Sequence, residues 1–195
     1  MSTFKTIKKI STSFFKEKGS KFYGYAFPIQ SKEDIKDCLL KIKEEHPKAR
    51  HICSAFLTGI GDKEYFIAND EGEPANSAGA PILGQIRSAG ITNTYIAVVR
   101  YFGGTKLGVG GLIRAYKLSA SLALEENEVI EVEPQTSIVF KIGFDLIGNV
   151  LPIIDKNNLN AKIQHEKDGA KISILMKEKD ESRIKKMFKR WVDSI

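Results

Sequence analysis

Between residues 100 and 117 this chain of 195 residues concentrates the groups best suited to holding an anion. Gly103, Gly104, Gly108, Gly110 and Gly111 fall within nine residues, and Arg100, Lys106, Arg114 and Lys117 bracket them. Glycine permits positive φ and lets a ligand come close to backbone N–H groups. A helix N-terminus favours negative charge. Together these residues could receive a phosphate or a nucleic-acid backbone. The same glycines could instead serve a tight turn and close packing of a buried helix on a sheet, and the spacing leaves both readings open. The familiar phosphate motifs fail. Gly103 and Gly108 have the P-loop separation, but Val109 stands where the lysine should be. The dinucleotide fingerprint needs glycine where Ile113 stands. No cofactor is expected.

A second group is acidic. Asp70, Glu71 and Glu73 put three carboxylates into four residues, followed by Pro74. Such a cluster could shape a cleft, bind a divalent ion, act as an acid/base pair, or form salt bridges with Arg100, Arg114 or Lys117 if the two loops meet. Salt-bridge pairing is the leading expectation. His51 and Cys53 would share one strand face, but two ligands do not make a metal site, and none is expected. No nucleophile elbow or zinc-protease motif is present, so no catalytic residue is assigned. Lysines also interleave with aromatics at Lys16, Lys18, Lys21, Phe22, Tyr23 and Tyr25, and again at Arg100, Tyr101 and Phe102. Aromatic rings can stack on bases while lysines contact phosphates.

These groups must be positioned by the elements around them. Residues 20–29 alternate as a strand does. Ile35, Cys38, Leu39 and Ile42 then follow a helical period behind Ser31 as N-cap, with Pro47 as the stop. Strands near 51–58 and 63–68 flank a turn at residues 59–62. Residues 69–80 form a loop, and a short helix starts at Pro81. Residues 94–102 are almost continuously apolar, which predicts a central strand covered on both faces. That strand empties into the glycine run, and a largely buried helix begins near residue 110 and reaches about Glu126. From 135 a β-α-β-β-α order appears, with strands at 136–145, 161–164 and 171–176 and helices at 146–157 and 181–192. This is the start of a ferredoxin-like unit, whose fourth strand would have only Asp193, Ser194 and Ile195 to form it. The pattern predicts an α/β (α+β) protein of two domains, residues 1–133 and 134–195.

Composition narrows the function classes. Apolar residues make up 42% and charged residues 28%, normal for a globular chain. No apolar run approaches the roughly 20 residues a membrane helix needs, and no secretory signal is apparent. Cys38 and Cys53 are too few for a disulfide framework, so a cytoplasmic protein with reduced thiols is expected. The net charge of +6 is uneven. Residues 1–21 carry six lysines and one acid, residues 22–133 carry 12 basic and 15 acidic groups, and the remainder carries 12 basic and eight acidic. Basic ends suit a polyanionic partner.

The run from Val98 through Arg100, Gly103, Gly104, Lys106, Gly108, Gly110 and Gly111 to Arg114 and Tyr116, with Asp70 to Pro74 and Ala78 to Leu83, resembles the signature of the IMPACT family in its bacterial YigZ type. The likeness is dense over roughly residues 20–130. It implies a first domain similar to the second domain of ribosomal protein S5 and a second domain resembling the last domain of the translocation elongation factor. Both folds occur in RNA-binding proteins of translation. Eukaryotic relatives restrain activation of the amino-acid-starvation kinase and carry an extra N-terminal domain not expected here. The acidic loop reads Asp70-Glu71-Gly72-Glu73-Pro74 where a second aspartate is common in the family, and Ala75, Asn76 and Ser77 replace its usual small Gly/Thr-containing stretch. The resemblance implies a translation-associated regulator that binds RNA or the ribosome, with protein partners also open. The competing expectations are a metal-dependent phosphate-handling hydrolase or transferase, with Glu73 and Arg114 in one cleft, and a protein-interaction module.

Overall fold

The structure, a computed structural model, describes residues 3–192. It divides into a unit spanning Phe4–Val132 and a smaller one from Glu133 onward.

The larger unit is built on a five-stranded antiparallel sheet ordered β2-β3-β6-β4-β5. Its strands are β2 (Ser11–Glu17), β3 (Ser20–Pro28), β4 (His51–Thr58), β5 (Tyr65–Asn69) and β6 (Thr94–Tyr101). The apolar run at 94–102 is the middle strand, and seven of its eight residues are buried. Alternation along the strands assigns the two faces. Phe22 and Ala26 of β3, Cys53, Ala55 and Leu57 of β4, and Ile96 and Val98 of β6 pack with α2 (Gly79–Ser88) and α3 (Gly108–Glu125). Tyr25 and Phe27, Ile52 and Phe56, and Tyr95, Ala97 and Val99 face the other way, against Ile42 of α1 (Asp34–Glu45). The sheet is therefore sandwiched between helices.

Beyond Tyr116, helix α3 lies close on the sheet because its inner side is small. Ala115, Ser119, Ala120 and Ala123 are buried. A Cβ on Gly24 of β3 would stand 2.7 Å from the Ser119 carbonyl oxygen. The hydroxyl of Ser13 donates to that same carbonyl (2.9 Å), and the hydroxyl of Ser11 to the carbonyl of Ala123 (2.6 Å).

Several local expectations shift. Two strands precede residue 20, and a two-stranded ribbon joins β1 (Phe4–Ile7) to β7 (Val129–Val132) inside the acidic stretch before Pro134. Ser31 does not cap α1 with its side chain; Asp34 reaches back instead, accepting from the backbone N–H groups of Gln30 and Ser31 (2.7 and 3.1 Å). Helix α2 starts at Gly79, two residues before Pro81, and α3 at Gly108.

The smaller unit has an antiparallel sheet ordered β8-β10-β9, with β8 (Gln135–Gly143), β9 (Asn160–Glu166) and β10 (Gly169–Lys177). Because β8 and β9 both run antiparallel to β10, they are parallel to each other. Helix α4 (Phe144–Lys156) thus makes a split βαβ crossover. Ile184 and Phe188 of α5 (Glu181–Phe188) complete its core with Phe140, Val150, Ile172 and Ile174. Among the described residues this sheet has three strands; the segment expected to hold a fourth, Asp193 to Ile195, lies outside them.

Candidate functional site

The two loops singled out by their charges meet through one buried ion pair. Arg100 lies near the C-terminal end of β6 on the face that α3 covers, paired in register with Phe22 of β3 and His51 of β4. Its Nη1 donates to Oε1 of Glu73 at 2.7 Å, and the two side chains are only 7% and 5% exposed. The Tyr116 hydroxyl, from α3, donates to the same carboxylate oxygen (2.8 Å). The Cys53 thiol of β4 donates to the carbonyl of Asp70 (2.8 Å) and lies 3.3 Å from the Tyr116 hydroxyl. Phe22 and Phe102 set their rings 5.8 and 5.6 Å from the guanidinium, which suits a delocalised cation. The Arg100 Nε is buried without a partner.

Burial governs the titration of this cluster. It pushes the Cys53 thiol up to about 12, against a smaller downward pull from the Tyr116 hydrogen bond. Burial likewise raises Tyr116, with Cys53 and Glu73 adding to the effect. Thiol and phenol therefore stay protonated at neutral pH and serve as hydrogen-bond donors. A buried charge is tolerated only when paired, and this pair pins the acidic loop to the sheet.

Asp70 holds the other end of that loop. Its carboxylate accepts from the backbone N–H groups of Asn76 (2.8 Å), Ala78 and Gly79 (both 2.9 Å), where α2 begins. Burial opposes its ionisation, but these three donors outweigh it and hold the carboxyl below its ordinary value. A Cβ on Gly79 would stand 2.5 Å from the Asn69 backbone nitrogen, so only glycine lets the helix start this close to β5. Glu71 is exposed, accepts from the Asn69 side chain, and its carbonyl lies 3.0 Å from Nδ1 of His51.

The expected sites therefore separate. Asp70 and Glu73 are engaged by protein donors, and among the described residues no three His, Cys, Asp or Glu side chains converge as a metal site would require. Arg100, expected beside the glycine loop as an anion ligand, is withdrawn into the ion pair, where Glu73 is equally buried. Lys106, Arg114 and Lys117 remain exposed, as do Gly103, Gly104, Gly108 and Gly110, while Gly111 is half-buried. Glu73 and Arg114 do not share an open cleft: one is enclosed, the other faces solvent. Sequence reasoning missed Tyr116 and considered Cys53 only as one of two ligands too few for a metal site. The signal for Tyr116 was a polar aromatic on the largely apolar inner side of α3.

The glycines divide by what a side chain would meet. Gly103 packs directly on the backbone of Gly19 and Ser20, and its N–H donates to the Ser20 hydroxyl (3.2 Å). Gly104 and Gly108 have φ of +88° and +71°, where other residues are strained. Gly110 has nothing nearer than the Arg114 Nη1 at 3.7 Å. No side chain caps the start of α3.

The family model described as the Impact N-terminal domain matches residues 18–124, a span that contains the whole Arg100–Glu73–Tyr116–Cys53 cluster and the glycine loop. The chain belongs to the IMPACT family. The IMPACT family member YvyE of Bacillus subtilis is 30% identical over 176 residues, covering 90% of this chain and 79% of that protein. The IMPACT family member YigZ of Escherichia coli is 37% identical over 134 residues, 68% of this chain and 66% of that one. A solved structure titled as a hypothetical protein superposes with a TM-score of 0.74 over 96% of this chain and 92% of its own, at 23% identity, which speaks to the two-domain α+β fold. Among the described residues no helix is long and apolar enough to cross a membrane.

Proposed function

We propose that this IMPACT-family chain is a translation-associated regulator that binds RNA or the ribosome through the glycine-rich start of α3. The observation that carries the reading is a helix of 18 residues whose first turn is glycine-rich, uncapped and flanked by the exposed cations Lys106, Arg114 and Lys117. Unpaired amides at such an end attract phosphate, and neighbouring lysines add point charges to it. Arg100 and Glu73 act beneath this surface, fixing β6 and the acidic loop from which it rises. The translation role that the resemblance implies favours RNA as the polyanion.

Binding made of phosphate contacts weakens with salt in proportion to their number. Fluorescence anisotropy of a labelled RNA against a salt series tests this. Replacing Lys106 or Lys117 by glutamine should lower affinity across sequences and make the salt slope shallower by about one for each phosphate left without its lysine. No measurable binding by the wild-type protein at low salt would end the reading.

A further inference from the structure

The face of the sheet opposite α3 carries a second feature, which rests on the same RNA reading. Helix α1 covers β3, β6 and β4 around Tyr25, Phe27 and Tyr95 but leaves the end near β2 open. Register places two rows of side chains there. Phe14 of β2 lies opposite Tyr23 of β3, and Lys16 opposite Lys21, with Tyr101 of β6 next in line. The Phe14 and Tyr23 rings are 4.8 Å apart, and Tyr23 and Tyr101 meet edge to face at 6.0 Å. Phe14 is 49% and Phe102 57% exposed, an unusual position for large rings on a protein surface. Gly19, Lys21, Tyr23, His46, Tyr101 and Phe102 enclose a cleft of about 260 Å³.

We infer that this cleft and the adjoining Phe14 ring form a stacking platform for single-stranded RNA. The volume is below the roughly 300–1,000 Å³ of sites for drug-sized ligands and suits one planar group with its neighbours lying outside. Two of the rings lining the cleft, His46 and Tyr101, are already fixed. His46 Nε2 lies 2.7 Å from the Tyr25 hydroxyl and its Nδ1 3.1 Å from that of Tyr101, while Tyr25 donates to Glu45 (2.7 Å). Binding then needs little ordering of the protein, which favours affinity. Charge selects the occupant: Lys16 and Lys21 are exposed beside the rings, Lys18 occupies the intervening turn, and the only acid in that hairpin is Glu17. Bases stack on sheet aromatics while lysines follow the backbone. The cleft also leads into the glycine loop, since Phe102 immediately precedes Gly103.

The test is anisotropy of the full chain with a fluorescent 12-nucleotide oligouridine and with a duplex RNA of equal length. Phe14→Ala should weaken single-strand binding by about fivefold or more, from the known worth of base–aromatic stacking, and leave duplex affinity unchanged. Lys16→Gln/Lys21→Gln should weaken both. Thermal melting checks the fold; if Phe14→Ala melts early, Phe14→Leu, which keeps the apolar bulk and removes the ring, is read instead. Unchanged single-strand affinity, or an equal loss for both RNAs, overturns the platform while leaving RNA binding at α3 intact. Absence of binding by the wild-type protein overturns the RNA reading itself.

Discussion

Gly19 and Gly103 touch backbone to backbone, so that a Cβ on Gly19 would stand 2.7 Å from the carbonyl oxygen of Gly103. The β2–β3 turn and the glycine loop are thereby one surface. Gly103→Ala forces the two segments apart and should destabilise by about 1–3 kcal/mol. Gly110→Ala should be neutral or gain up to about 1 kcal/mol from helix propensity. Urea unfolding of the two variants separates a glycine required for packing from one that is not.

Removing one partner of the Arg100–Glu73 pair leaves a buried charge alone. Glu73→Ala should cost about 3–5 kcal/mol. Adding Arg100→Met should restore part of the loss, because it removes the stranded charge. A double-mutant cycle by denaturant unfolding measures the recovery, and an additive result would contradict a buried, coupled pair.

Acid should weaken the fold through Asp70. Its carboxyl holds a proton less tightly folded than unfolded, so the unfolded chain takes up more protons as pH drops. The stability it contributes is complete above its unfolded value near 4 and drains away as pH falls through the lower folded value. Asp70→Asn should be less stable than wild type at pH 7, and the gap should narrow by about pH 3, measured by thermal melting.

The two cysteines should differ in reactivity. Cys53 is fully enclosed and stays a thiol at any ordinary pH, whereas Cys38 is half-buried on α1 with a thiol raised less. The thiolate is the reactive form. Mass spectrometry after brief iodoacetamide treatment should show modification at Cys38 first, with Cys53 labelled only on unfolding.

The middle strand, the loop after it and α3 were legible in the sequence because each has a strong local signal: an apolar run, clustered glycine, then an alanine- and leucine-rich helix. β2 was not. Toward α3 it presents Ser11 and Ser13, whose hydroxyls meet helix carbonyls, and only Phe15 packs on the core, so no apolar stripe forms. β1 and β7 are four residues each and pair across more than a hundred positions, a relationship with no short-range trace. At the site, charge pairing between the loops was among the expectations, but its partner was not determined, since three cations competed for Glu73. Only tertiary burial singles out Arg100. The lysine–aromatic interleaving was visible, yet which rings face solvent depends on how far α1 extends over the sheet.

The β1–β7 ribbon sets Phe4 directly opposite Val132, so the larger unit's two ends leave it at one place. Polypeptide attached at either end therefore starts from the same point. A folded body of this kind behaves as a cassette: it could be spliced into a loop of another protein, or reclosed with new termini in the Gly59–Lys63 turn, without stretching its own sheet.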